Sequence, residues 1–392
     1  MSSTLKHAHA SPSRKRRSQS SDSTQRLITL AQAVAAEPDT EDLSPTEERL
    51  IECVIRLVTQ GLDRKILQAL TTLESRHAHE AADCVTFWAE DAASTVELLM
   101  MPNASADADH AATPPNPVPG EATAFLIPII FFTPPGSSLP LTVPFGHTLD
   151  ALARSFRQHG LLGAAPSVVL FPGLYRLADL PDTWSERRRW LQILCAHVTR
   201  QTANPIPRAS HDPEAEPEEA TATTLRLRFL VGAVIRAGDE ESTTPAGPLW
   251  DTDVPLFASD ADQMAALTAW QETVTTLLAR TMKAVSVWPG FPDLWSDALD
   301  AGLEWWNDVI IEQALATYCA QQGVTPDAVL ADIRWNADAT AWQGAFVTMA
   351  DTGPSWLWVG WGDPADQRDA LLAALRSLGI RRLALDEQGC ED

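Results

Sequence analysis

From Thr24 to Ser94 the apolar residues return every three or four positions. Leu27, Leu30, Ala31 and Val34 make one stripe, Leu50, Ile51, Val54, Leu57 and Val58 a second, and Ile66, Leu67, Leu70 and Leu73 a third. That spacing collects side chains on one face of an α-helix. Ser44-Pro45-Thr46-Glu47 is a helix start, because Ser44 caps, Pro45 fits the first turn and Glu47 completes a capping box. Gly61 is a natural stop. A further helix is predicted over roughly 80–100, so residues 24–101 read as a helical bundle.

The period then changes. Phe125 to Phe132 is a compact apolar run that reads as a strand, followed by a helix over 149–159, a strand over 167–171 and a helix over 184–198. The same order returns as a strand over 225–236, a helix over 260–282, a strand over 284–288 and a helix over 297–322. Both second strands run into a Pro-Gly corner, Phe171-Pro172-Gly173 and Trp288-Pro289-Gly290, where an aromatic is expected to turn inward. A shorter third version closes the chain: a hairpin over 343–361 turning at Asp351-Thr352-Gly353-Pro354, a helix from Pro364 to Leu378 stopped by Gly379, and a strand over 380–385. Within the hairpin, Trp356 and Trp358 point to one face and Leu357, Val359 and Trp361 to the other. With both faces apolar, the expectation is an inner strand of a covered sheet whose indoles fill the core, Gly360 and Gly362 alone hinting at a close approach by a ligand.

The predicted fold is therefore α/β or α+β, a helical bundle followed by repeated strand-helix units whose sheets are covered by helices. Its expected divisions are a disordered basic tail over 1–23, the helical region 24–101, a Pro/Ala/Asp-rich linker over 102–122, a first unit over 123–200, an acidic linker over 201–224, a second unit over 225–323 and a C-terminal unit over 324–392.

Charge narrows the functional choices. The net charge is −23. Residues 1–23 carry five Lys or Arg against Asp22, so the remaining chain carries −27. Such a body lacks the surplus of basic side chains that a phosphate backbone requires. Nucleic acid is expected to bind only weakly, through Arg14, Lys15, Arg16 and Arg17, and that cluster has an equally suitable target in the chain's own acidic surface. The longest apolar run, Ala124 to Phe132, is about half a membrane span and contains Pro128. No membrane partner and no secretion signal are expected. Five scattered cysteines without a C-x-x-C pair read as free thiols in a reducing cytoplasm.

Candidate chemistry is sparse. His77, His79, Glu80 and Cys84 are the nearest approach to a metal cluster, but they lie in one short segment with no zinc spacing, and a solvated helix start is the better reading. No G-x-S-x-G elbow, catalytic cysteine signature or phosphate cradle is present, so no catalytic residue, cofactor or metal is assigned. His147, His159 and His197 read as caps or packing residues. Two places remain. Trp305 and Trp306, beside Glu304 and Asp308, suit a protein-partner surface, since interfaces enrich and bury Trp. Pro172-Gly173 and Pro289-Gly290 are the corners where a small-molecule enzyme would build its site at strand ends.

Glu48 to Ser94, Phe125 to Phe132 with its Pro-Gly-Ser loop, Phe171 to Pro181, Arg228 to Val234 and Gly379 to Leu383 together resemble an uncharacterised proteobacterial family known only as a domain of unknown function. The resemblance spans most of the chain beyond the tail. Relatives often carry a C-terminal cysteine pair where this chain has the single Cys390, and the resemblance implies no activity, cofactor or site residue. The expectation is a bacterial, cytoplasmic, tryptophan-rich acidic protein that binds or regulates through protein contacts, with a small-molecule enzyme as the alternative. Removal of residues 1–23 is expected to abolish any DNA binding seen at physiological salt by electrophoretic mobility shift; binding that survives truncation would overturn the charge argument.

Overall fold

A computed structural model describes residues 13–38, 43–100, 118–135, 137–144, 146–162, 167–198, 205–210, 224–237, 260–282, 285–336, 341–349, 351–360 and 364–386. Among the described residues it has nine helices and two sheets, an α/β arrangement. Helices α1 (Ser13–Val34), α2 (Pro45–Thr59), α3 (Asp63–Ser75) and α4 (His79–Ser94) form the bundle. Most of each stripe read from the sequence meets in one core, Leu27, Ala31, Leu50, Val54, Leu57, Ile66 and Leu73 with Val85 and Ala89 of α4, whereas Leu67 of the third stripe is 51% exposed. Ser44 accepts from the Glu47 amide at 3.1 Å, the predicted cap, and Gly61 takes φ +67°, which an L side chain resists.

Four of the expected boundaries move. Helix α1 begins at Ser13, eleven residues before the predicted start, so residues 13–23 are helical where a disordered tail was expected. Arg and Lys propagate helix well even without an apolar stripe. Residues 1–12 lie outside the described residues. Helix α4 stops at Ser94, and residues 95–100, expected to continue the helix, become strand β1 (Thr95–Met100). The β-branched pair Thr95-Val96 favours that change, and the partner waiting for it is β2 (Val118–Thr133), which starts inside the predicted linker. The rest of that linker, 101–117, is outside the described residues, as are 211–223 of the acidic one, while 205–210 of the acidic one is pinned to the body.

Strand β2 is the centre of the larger sheet. Along one edge it pairs with β4 (Thr224–Ala237) from Gly120↔Ala237 to Thr133↔Thr224. Along the other it meets β1, then β6 (Asp293–Leu294), then β5 (Ser286–Pro289), and β3 (Ser167–Leu170) lies outside β4. Every pairing is antiparallel. Alternation sorts the strand: Phe125, Ile127, Ile129 and Phe131 face α5 (Gly146–Gln158) and α7 (Asp260–Thr281), while Ala122, Ala124 and Leu126 face α6 (Trp184–Val198) and α8 (Trp295–Gln322). A strand buried on both faces is nearly continuous apolar sequence.

Pro128 in the middle of such a strand needs explaining, because it cannot donate to a ladder. Its partner Phe229 turns its own amide and carbonyl away, exchanging bonds with Tyr175 at 2.8 and 3.0 Å. Pro128 therefore points its nitrogen to the opposite edge, at the gap between β6 and β5. Its carbonyl is satisfied there by the Gly290 amide at 2.7 Å. Exchanging the two strand-helix units about the Pro128↔Phe229 pair brings β3 on β4 onto β5 on β2, although β1 and β6 have no counterparts on β4. Pro172-Gly173 and Pro289-Gly290 then occupy equivalent places, each where a flanking strand breaks. Their aromatics diverge from the expectation of an inward turn: Phe171 is buried at 1% exposure, whereas Trp288 is 47% exposed against the ring of Phe132.

The smaller sheet has the order β10 (Arg382–Asp386), β7 (Leu330–Asn336), β8 (Ala341–Val347), β9 (Thr352–Trp358), with β10 parallel to β7. The β8–β9 hairpin and α9 (Pro364–Ser377), closed by Gly379 at φ +88°, match the sequence reading; β7 was not foreseen. One face carries Trp342, Phe346, Trp356 and Trp358 against Ile311, Leu315 and Tyr318 of α8 and Leu371 and Leu375 of α9. The other carries Asp332, Arg334 and Ser355 and is exposed.

This corrects the account of the tryptophan strand. Trp356 and Trp358 do fill a core, but β9 pairs only with β8 and is an edge strand, with Leu357 exposed on the open face. Trp361 lies outside the described residues. The Trp356 indole lies across Gly344 on β8, so close that a Cβ there would overlap the ring. Gly344→Ala is expected to cost about 1–3 kcal/mol by overpacking, read as a lower midpoint in chemical denaturation.

Candidate functional site

Two open clefts have polar groups converging on them. The first follows strand β3. The chain leaves Leu170, turns at Pro172-Gly173 and lays residues 175–181 along the start of α6. Gly173 is required because the Tyr175 ring occupies the space a Cβ would take. Asp179, Leu180, Pro181, Glu186, Arg189, Trp190, Ile193, Pro205 and Pro207 line a cleft of about 350 Å³.

Its most ordered polar group is Asp179. Arg176 donates to it from Nε at 3.3 Å, from a terminal nitrogen at 3.2 Å and from its backbone amide at 3.1 Å. Ser210 adds its amide at 3.1 Å and its hydroxyl. Burial pushes the carboxyl up, but the bonds from Arg176 and Ser210 outweigh it and hold Asp179 at about 2. Such a group is fully ionised near neutrality, with its oxygens committed, and is a poor general base.

The second cleft lies midway along α8. Asp300, Leu303, Glu304 and Asn307 of α8 face Trp358, Val359 and Gly360 at the exit of β9 and Asp366, Gln367 and Ala370 of α9 across about 310 Å³. Asn307, 2% exposed, fixes that exit: its amide donates to the Val359 carbonyl at 2.5 Å and its oxygen accepts the Val359 amide at 3.1 Å. The side chain thus continues the ladder that β9 has just left.

The electrostatics of this cleft are one-sided. Burial and the Asp297 and Glu90 charges push the Asp300 carboxyl up, and burial with Glu304 and Glu312 does the same to Asp308. Asp293, at the helix start, is raised by burial and by Asp297. Among the described residues no salt bridge joins a cation to Asp300, Glu304 or Asp366. Carboxylates at spacings of three and four along α8 therefore face one another with little relief, and the chemistry that relieves them is a positive charge.

A third polar cluster is structural. Glu90 on α4 accepts from Trp184 Nε1 at 2.9 Å, Arg187 at 2.6 Å and Ser296 at 2.7 Å. Asp63 accepts from Ser185, and Arg188 donates to the carbonyls of Ala92 and Thr95. These bonds fasten the bundle to α6 and α8.

The residues singled out from the sequence are placed as follows. Trp305 and Trp306 are both half-buried, and Trp305 packs over Gly290 rather than standing at a rim. They follow Glu304 in the chain, but the aromatic lining the acidic cleft is Trp358. Trp358 is 5% exposed and fills the core as its sequence pattern predicts, and Gly360, two residues on, is where the sequence hints at the cleft. Gly290 abuts Pro128, so both Pro-Gly corners are filled by the protein's own side chains. His159 bonds Thr273 at 2.9 Å, joining α5 to α7. His77 takes φ 56° just before α4, and among the described residues no group of three or more His, Cys, Asp or Glu is arranged to hold a metal. Burial pushes Cys195 up to about 12, which disfavours the thiolate. Comparison with protein-family models, with curated proteins and with solved structures finds no match.

Because Asp179 is held well below the unfolded value of about 3.9, its contribution to stability is present above pH 4 and lost as pH falls toward 2. Asp179→Asn is expected to lower stability at pH 7 by about 1–2 kcal/mol and to flatten the acid limb, measured by urea titration between pH 7 and pH 2.5.

Proposed function

We propose that this protein is a non-catalytic binding or regulatory module acting through protein contacts, and that the α8–α9 cleft seats a basic side chain of its partner. The observation that carries the reading is the convergence of Asp300, Glu304 and Asp366 on one cleft walled by Trp358. A guanidinium or ammonium group suits this cleft because the carboxylates attract it, while Trp358, almost wholly buried in the core beneath, closes the wall. Leu303 offers the apolar floor that the stem of a long basic side chain covers. The raised carboxyl of Asp300, pushed up by burial and by its acidic neighbours Asp297 and Glu90, supports the same reading, because a cation arriving there relieves that repulsion.

The cytoplasm is the compartment we propose. In support, Cys53, Cys84, Cys195 and Cys319 stand in no disulfide, and no helix among the described residues is long and apolar enough to cross a membrane.

The test is a titration with an arginine-rich peptide followed by fluorescence anisotropy. Glu304→Gln and Asp300→Asn are each expected to weaken binding roughly twofold to fivefold, the range of one exposed ionic contact. Affinity should also decline as pH falls, earlier than ordinary carboxylates would dictate, because Asp300 protonates above its usual range. A peptide that binds equally well to wild type and both variants sinks the proposal.

A further inference from the structure

Between the end of α6 at Val198 and the start of β4 at Thr224, the described residues are 205–210, Pro-Ile-Pro-Arg-Ala-Ser. They form no helix and join no sheet. The segment, which Pro205 and Pro207 bias toward an extended backbone, is held instead by side chains from a part of the chain about thirty positions earlier. Tyr175 Oη donates to the Pro207 carbonyl at 2.9 Å. Three residues on, Asp179 accepts both the amide and the hydroxyl of Ser210, and Arg176 donates to that same hydroxyl. Ile206 and Ala209 pack on the core beneath, which includes Tyr175, Leu180, Leu191 and Leu194, and Trp190 lies alongside. The Tyr175 and Trp190 rings stand 4.9 Å apart between centroids, and the cleft bounded by Pro205 and Pro207 continues past them over Leu180, Pro181 and Ile193.

This is how a protein holds a foreign peptide rather than how it usually closes a loop. Aromatic side chains meet prolines, a phenol hydroxyl takes a main-chain carbonyl, and a carboxylate with its arginine reads one amide and one hydroxyl at a fixed distance from it. Proline-rich recognition elsewhere uses the same elements, because a segment already extended loses little entropy on docking. Nothing in these contacts depends on the peptide being covalently joined to the groove.

We propose that the groove between α6 and residues 175–181 is a recognition site for an extended Pro-apolar-Pro segment ending in a serine, carried by a partner protein, and that residues 205–210 occupy it in cis as an autoinhibitory strap. The site is distinct from the α8–α9 cleft and recognises a different chemistry. The strap competes at the high effective concentration of a tethered ligand, on the order of millimolar. A partner segment of the same sequence type gains entry when the strap's hold is weakened.

The experiment uses the full-length protein and a labelled peptide with the sequence of residues 204–211, followed by fluorescence anisotropy. Ser210→Ala removes the strap's hydroxyl and leaves Tyr175, Arg176 and Asp179 in place. It is expected to bind the peptide at least tenfold more tightly than wild type does. Trypsin should also cut after Arg208 faster in this variant, showing that the strap has lifted. A peptide with alanine at its serine, and one with both prolines replaced, should each lose most of that affinity. Tyr175→Phe in the Ser210→Ala background should weaken binding while leaving the melting profile close to that of its parent. The proposal is overturned if Ser210→Ala binds no more tightly than wild type, or if the altered peptides bind as well as the original. Neither result would touch the acidic cleft, whose test depends on Asp300 and Glu304.

Discussion

The pairing of β2 with β4 is the interaction on which the rest of the molecule is hung. Fourteen successive residues of β2 find a partner on β4, and each strand is buried on both faces. The opposite edge of β2 then collects β1, β6 and β5, and the outer edge of β4 collects β3. Because neighbouring side chains point to opposite faces, this one ribbon builds two cores, one under α5 and α7 and the other under α6 and α8. A one-residue slip in the register would exchange Phe125 and Ile127 with Ala124 and Leu126 and leave neither core filled. Pro128 is consistent with a fixed register, since only at the gap between β6 and β5 does its missing amide hydrogen cost nothing.

Most of the elements could be read from the sequence because local pattern and tertiary burial agree in them. The stripes of α2 and α3, the cap at Ser44, the stop at Gly379 and the order of strands and helices in the two central units all follow from period and turn chemistry. The failures occur where partners distant in sequence decide. Residues 95–100 carry enough apolar character to prolong α4, and only β2 makes them a strand. The segment from Trp356 to Val359 is apolar on both faces, as β2 is, yet one of the two strands is central and the other lies at an edge. Alternation describes a strand's faces and is silent about its neighbours.

The sites were less legible for a related reason. Glu304 stands out in the sequence only beside Trp305 and Trp306, and nothing local reveals that Trp358 and Asp366 arrive opposite Asp300 and Glu304 from more than fifty residues away. The Pro-Gly corners were noticed for the right physical reason, the breaking of a strand, but both are packed by Tyr175 and Pro128. The cleft instead forms a few residues further on, where Asp179 meets a segment expected to be part of a linker. A linker that supplies a serine to an aspartate is indistinguishable in composition from one that does not.

Helix α8 runs for 28 residues, about 42 Å at 1.5 Å per residue. Its first turns, Trp295 to Leu299, belong to the larger sheet, and its last, Ile311 to Tyr318, to the smaller one. The two halves of the molecule therefore share a rigid axle instead of a flexible hinge, and the acidic cleft sits at its midpoint. A change in the tilt of that one helix would therefore be felt by both sheets at once.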